Sequence, residues 1–110
     1  MNKILLVGRL VKDPELKLYN DDKKVARFTL AVERNYKEAN GERKADFIPI
    51  CVWGRRAELI CNHLHKGSLV TLSGRLRTSM QEDQDGNKRY MYEVVGEDFK
   101  FSEPFVKKEA

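Results

Sequence analysis

Residues 45–78 read ADFIPICVWGRRAELICNHLHKGSLVTLSGRLRT, and the spacing of their apolar residues changes twice. From Phe47 to Trp53 the period is two: Ile48, Ile50 and Val52 point to one face of a strand, and Phe47, Pro49, Cys51 and Trp53 to the other. Over residues 56–64 the period becomes helical, with Ala57, Ile60, Cys61 and Leu64 on one apolar stripe. Glu58 stands in the first turn, where the helix dipole favours an anion, and His63, His65 and Lys66 gather at the far end. Gly67 is the expected stop, since glycine takes a positive φ freely. Residues 69–78 return to period two, with Val70, Leu72 and Leu76 expected toward a core and Thr71, Ser73, Arg75 and Arg77 outward.

Outward from this centre, residues 3–11 (KILLVGRLV) read as an apolar strand closed by the turn Lys12-Asp13-Pro14-Glu15. Residues 16–19 make a short strand, ended by the turn Asn20-Asp21-Asp22. Residues 25–34 alternate, with Ala26, Phe28, Leu30 and Val32 on one side and Val25, Arg27, Thr29 and Ala31 on the other. A polar loop over residues 37–44 has Asn40-Gly41 at its tip. Downstream, Asp85-Gly86 marks a hairpin. Residues 89–95 form the returning strand, whose inward face Tyr90 and Tyr92 leave undecided, and Phe99 and Phe101 follow Gly96. One short helix between the third and fourth long strands fits an all-β fold, a five-stranded Greek-key barrel of the OB type. An SH3-like barrel or a small α+β sheet fits the same periods.

A chain of 110 residues holds one compact core. Its 21 basic and 17 acidic residues leave a net charge of +4, a mild lean toward polyanionic partners. No apolar run approaches a membrane span, and Gly8-Arg9 interrupts the N-terminal run where a signal sequence would continue, so a cytoplasmic protein without membrane partner is expected. Cys51 and Cys61 fit no zinc spacing and are read as free thiols, Cys61 as a small core residue.

Chemistry enters on the second face of the opening strand. Phe47 and Trp53 lie there, Arg75 and Arg77 lie outward on a neighbouring strand, and Tyr36 sits among Arg34, Lys37, Arg43 and Lys44. Aromatics interleaved with cations suit single-stranded nucleic acid: bases of any kind stack on π-faces while Lys and Arg neutralise the backbone. The competing reading packs Phe47 and Trp53 beneath a loop or at a subunit interface and leaves the arginines as a solvated face. Duplex recognition would need a recognition helix, and the one helix is committed to the core. The carboxylates are scattered without two-metal spacing, His63 and His65 are explained by the helix end, and Ser68 and Ser73 lack a base nearby in sequence, so neither catalysis, nor a metal, nor a cofactor is expected. Cys51 shares the Phe47–Trp53 face; the pattern leaves open whether it is exposed there, where a thiol would report on an occupied surface.

The segments NKILLVGRL (2–10), KDPEL (12–16), FTLAV (28–32), ADFI (45–48), WGRRAE (53–58), KGS (66–68), GRLRT (74–78) and YEVV (92–95) run in the order seen in bacterial single-stranded DNA-binding proteins, and the chain resembles that family over residues 1–103. The resemblance implies an OB-fold domain over residues 1–103 that assembles as a homotetramer. It implies sequence-independent binding of single-stranded DNA in replication, recombination and repair, and no enzymatic activity. It places the family's stacking aromatics at Tyr36, Phe47 and Trp53 and its basic positions at Lys3, Arg55, Lys66 and Arg77. Arg9, Arg34 and Arg75 join them from strand direction and charge. Leu5, Val7 and the strand from Tyr90 to Val94 are candidate subunit contacts.

Two departures stand out. Gln81 occupies a position where the family often has a further tryptophan, so one stacking platform is missing. The family's long Gly-, Gln- or Pro-rich linker and acidic tip are replaced by a short charged end over residues 104–110, which marks either a shortened sequence or a short accessory or mobile-element form; partners recruited through that tip are not expected. The reading from another class is an OB-fold protein–protein module of a primosome-type complex that binds nucleic acid only weakly.

Overall fold

The computed structural model describes residues 1–19 and 22–101. The expected turn at Asn20 and Asp21 and the charged end over residues 104–110 lie outside them. Six strands and one helix follow in order: β1 (Ile4–Leu10), β2 (Glu15–Tyr19), β3 (Lys23–Glu33), β4 (Ala45–Trp53), α1 (Arg55–His63), β5 (Leu69–Glu82) and β6 (Lys88–Phe101).

The alternation in β3 and β4 does what period two requires. Their antiparallel register sets Ala26 against Val52, Phe28 against Ile50 and Leu30 against Ile48, so one apolar face is shared by both strands. β1 pairs with β5 along its length and with β3 through Arg9 and Leu10. β2 then continues along β3, Glu15 opposite Arg27 through Tyr19 opposite Lys23. β1 and β2 thus act as one bent strand, which is why a five-stranded barrel is drawn from six segments. The ring closes β1-β5-β6-β4-β3-β1, and β4 with β6, through Ile50–Val94 and Cys51–Val95, is its parallel contact. A closed ring with this order and a helix between β4 and β5 is the OB arrangement, and closure sets an open α+β sheet aside.

Leu10, Phe28, Leu30, Ile50, Val52, Val70, Leu72 and Val94 fill the interior, and α1 covers one end with Ala57 and Ile60. Leu64 at the C-cap is buried beside them, and Cys61 packs against the core from a half-buried position. An ion pair between Lys24 and Glu58 fastens the helix to β3. Gly67 has the positive φ expected of it, 89°, but the helix ends earlier, at His63. Gly67 instead forms the turn in which Ser68 N–H donates to His65 C=O at 2.9 Å.

One inward assignment fails. Leu76 is 39% exposed, not buried. β1 begins opposite Gly74, so past that point β5 loses its neighbour, and only the Asn2 side chain, paired with both backbone groups of Leu76, extends the cover. Gly74 marks that exit: a Cβ there would stand 2.0 Å from the Val95 carbonyl oxygen, at the register shift between β5 and β6. Beyond it the two strands run on as a hairpin arm on which Tyr90 and Tyr92 are exposed. Asp83 Oδ1 accepts from the N–H groups of Asp85 and Asn87 at the tip, the turn expected from Asp85-Gly86.

Candidate nucleic-acid interface

The outer face of the barrel carries the expected aromatics in rows set by strand register. Arg9, Ala31 and Phe47 are successive partners across β1, β3 and β4. Because Ala31 is small, the Phe47 ring stands clear, 66% exposed. Four residues further along both strands Arg27 is opposite Cys51, and two beyond that Val25 is opposite Trp53.

At this second end the face is covered by its own side chains. Trp53 packs on a cluster of Val25, Cys51 and Val95, and Cys51 is 0% exposed. The exposure of Cys51, which the sequence leaves open, is thereby answered: parity places it on the Phe47–Trp53 face, and the large ring two residues later covers it. Burial pushes the thiol up from its ordinary value, and Glu93 adds to that shift. Trp53 stays half-buried, and its Nε1–H is, among the described residues, a buried donor without a hydrogen-bond partner.

Around Trp53 the charges are arranged. Arg77 holds its Cζ 5.9 Å from the indole centroid and is ion-paired with Glu93. Arg27 Nε lies 3.7 Å from the other Glu93 oxygen, so one carboxylate serves two guanidiniums. Arg27 Nη1 donates to the Tyr19 hydroxyl at 2.9 Å, and the Tyr19 ring stands 5.7 Å from that of Trp53. That hydrogen bond, with the positive charge of Arg27, holds the phenol below its ordinary pKa. Tyr19, Arg27 and Glu93 were not singled out from the sequence. Arg27 shares its outward parity with Val25, and the antiparallel partnership of β3 with β4 is what carries that parity onto Trp53.

At the opposite end Tyr36 is 58% exposed at the root of the loop. Arg34 N–H donates to Lys44 C=O at 2.9 Å and closes that root. The Arg34 guanidinium grips Asp46, Nη2 to Oδ1 at 2.9 Å and Nε to both oxygens at 3.2 and 3.3 Å, while Nη1 reaches the Tyr36 hydroxyl at 3.4 Å. Arg34 holds the Asp46 carboxyl below the ordinary carboxylate value, and Asp46 raises Arg34 in turn. Arg34 is thus ion-paired with Asp46 at the surface and within hydrogen-bond reach of the Tyr36 hydroxyl.

The remaining basic positions divide by place. Arg55 is exposed at the first turn of α1, two residues after Trp53, and Arg75 is exposed opposite Val95. Lys66 is exposed in the turn before β5, where its backbone N–H donates to Asp13 Oδ1 at 2.7 Å. Next to it, Arg9 Nη1 donates to Gly67 C=O at 2.8 Å. Lys3 is exposed ahead of β1, at the end where Ile4 pairs with Gly74. Arg9 and Lys66 thus meet near Phe47's row, Arg55, Arg75 and Arg77 surround Trp53's end, and Lys3 stands apart from Arg9 at the other end of β1. An open groove of about 1030 Å³, walled by Val7, Arg9, Ala31, Arg34 and Tyr36, leads along β1 and β3 to the loop root.

Among the described residues no three His, Cys, Asp or Glu side chains are placed to hold a metal, and no helix is long and apolar enough to cross a membrane. Exposed aromatics flanked by cations on an OB barrel are chemically suited to unpaired nucleic acid. The sequence model of the Single-strand binding protein family matches residues 1–102. The chain belongs to the single-strand binding protein family.

Members of this family are DNA-binding proteins, not enzymes. Among its relatives, Single-stranded DNA-binding protein 1 of Clostridium acetobutylicum is 48% identical over 111 residues, covering 100% of this chain and 99% of its own length. The Single-stranded DNA-binding protein of Caldanaerobacter subterraneus is 46% identical over 104 residues, 94% of this chain and 69% of that protein. That of Bacillus cereus is 48% identical over 104 residues, 94% of this chain and 61% of that protein.

Proposed function

We propose that residues 1–103 form a domain that binds single-stranded DNA without a sequence code, stacking bases on Tyr36, Phe47 and Trp53. The observation that carries this reading is the outward Phe47–Trp53 face: one ring stands clear of the sheet, and the other lies beside a guanidinium with its body seated on Val25, Cys51 and Val95. Stacking on such rings contributes about 1–3 kcal/mol per base whichever base it is, since every base has a π-face.

Lys3, Arg9, Arg55, Lys66, Arg75 and Arg77 neutralise the DNA backbone, and Arg34 contributes by holding Tyr36. Arg77 is shared with Glu93, so phosphate competes there with an internal carboxylate. No side chain on the face presents a base-edge pattern at a fixed spacing, which fits indifference to sequence. The α1 helix has its apolar stripe in the core and offers no recognition surface for duplex.

The protein works as a cytoplasmic homotetramer that keeps unpaired strands from re-annealing during replication, recombination and repair. Leu5 and Val7, exposed on the outer side of β1, supply apolar surface for contact between copies. Titration with poly-deoxythymidine, read by Trp53 fluorescence, tests the reading: quenching that weakens steeply as salt rises is expected, and neither quenching nor salt-sensitive binding at low ionic strength would refute it.

A further inference from the structure

Trp53 is one of two similar units. Its ring has Arg77 Cζ at 5.9 Å from the centroid; the Tyr19 ring has Arg27 Cζ at 5.8 Å. Both distances are within reach of a cation–π contact, about 6 Å. Glu93 joins the two guanidiniums, so each ring carries its own positive charge and both charges are held in place by one carboxylate. The rings are neighbours, 5.7 Å between centroids, yet their planes differ by 37°. A flat base cannot lie face to face on both at once.

Tyr19 is reached across the sheet, not along it. Trp53 on β4 is opposite Val25 on β3, Val25 is opposite Lys17 on β2, and Tyr19 is two residues beyond Lys17 on the same side of that strand. Tyr19 is 41% exposed, and Lys17 beside it is exposed as well. In the other direction the arm offers no ring on this side at Gln81, which is opposite Arg89. The stacking surface therefore widens from β4 toward β2 while it thins out along the arm.

We propose that Tyr19, with Arg27 and Lys17, is a second stacking position adjoining Trp53, so that two successive bases of the single strand are splayed, one onto each ring. The proposal rests on the single-stranded DNA reading and adds a binding residue to it. Tyr19 takes the base, Arg27 fixes the ring through its hydroxyl, and Lys17 stands where the intervening phosphate passes. The strand leaves Trp53 across β2, away from the tip of the hairpin arm.

The experiment uses the unaltered protein with oligo-deoxythymidine carrying 5-iodo-deoxyuridine, irradiated and mapped by mass spectrometry. Crosslinks on both Tyr19 and Trp53 are expected, which a tyrosine that merely buttresses Trp53 would not give. In parallel, Tyr19→Leu, which removes the π-face, should weaken poly-deoxythymidine binding about tenfold, whereas Tyr19→Phe, which keeps the π-face and loses only the hydroxyl contact to Arg27, should weaken it clearly less. Crosslinks confined to Phe47 and Trp53, or a Tyr19→Leu variant that binds as the parent does, would overturn this assignment and leave single-strand binding standing. Loss of binding by the unaltered protein would overturn both.

Discussion

Trp53 covers Cys51: the indole sits on the cluster to which the thiol belongs, and the thiol is fully buried. The two alternate along β4 and point to the same face, so the strand is buried on both sides at this end and open on one side at Phe47. One strand thereby supplies a seated ring and a free-standing ring.

That relationship predicts the reactivity of Cys51. Its raised pKa keeps it protonated through neutral pH, and burial keeps reagents out, so alkylation should be slow with or without DNA. Trp53→Ala removes the cover, and the rate at Cys51 should rise at least tenfold. Cys61 is a second free thiol and is half-buried, so peptide-level mass spectrometry must separate the two. Rapid labelling of Cys51 in the parent protein would contradict the packing.

Phe47→Ala isolates stacking from folding. The ring is mostly in solvent, so the unfolding midpoint should hardly move, while single-strand affinity should fall by about 1–3 kcal/mol. Urea unfolding and an oligonucleotide titration of the same sample check both halves.

Arg34 and Arg75 should separate by salt. Each phosphate neutralised on a single strand contributes about −0.7 to the slope of log K against log salt. Arg75→Ala should therefore flatten the slope by about 0.7. Arg34→Ala should weaken binding through Tyr36 and leave the slope nearly unchanged, because Asp46 already neutralises Arg34. The Asp46 carboxyl titrates below its ordinary value of 3.8, so the pair is intact above that pH and is lost only as pH falls through the depressed value. Arg34's contribution should thus be constant from about pH 5 to 8, above the usual carboxylate titration at about pH 4.

Gly74→Ala tests the barrel's exit. The added Cβ would collide with the Val95 carbonyl, a backbone atom that cannot swing aside, so a loss of at least about 1–3 kcal/mol is expected. Thermal or urea denaturation measures it.

Much of this was legible in residue order. The alternation of Ala26, Phe28 and Leu30 and the stripe of Ala57, Ile60 and Leu64 name core faces because period and burial are linked locally. What periods cannot express is cover supplied from elsewhere. Cys51 is buried by a ring that folds back over it, Leu76 is exposed because β1 begins too late to shield it, and Gly67 serves a turn because α1 ends sooner. The site shows the same division. Tyr36, Phe47 and Trp53 stand out as aromatics among cations, but the nearness of Tyr19 to Trp53 follows only from the β2–β3–β4 register, and the ion pair of Arg34 with Asp46 shows only in the fold.

The central claim, that the Phe47–Trp53 face stacks unpaired bases, is tested most directly by titrating the protein with poly-deoxythymidine while following the fluorescence of Trp53, its single tryptophan. Saturable quenching that weakens steeply with salt, and an equal length of duplex that does not compete, is the predicted result. Unchanged Trp53 emission on saturating single-stranded DNA would contradict it.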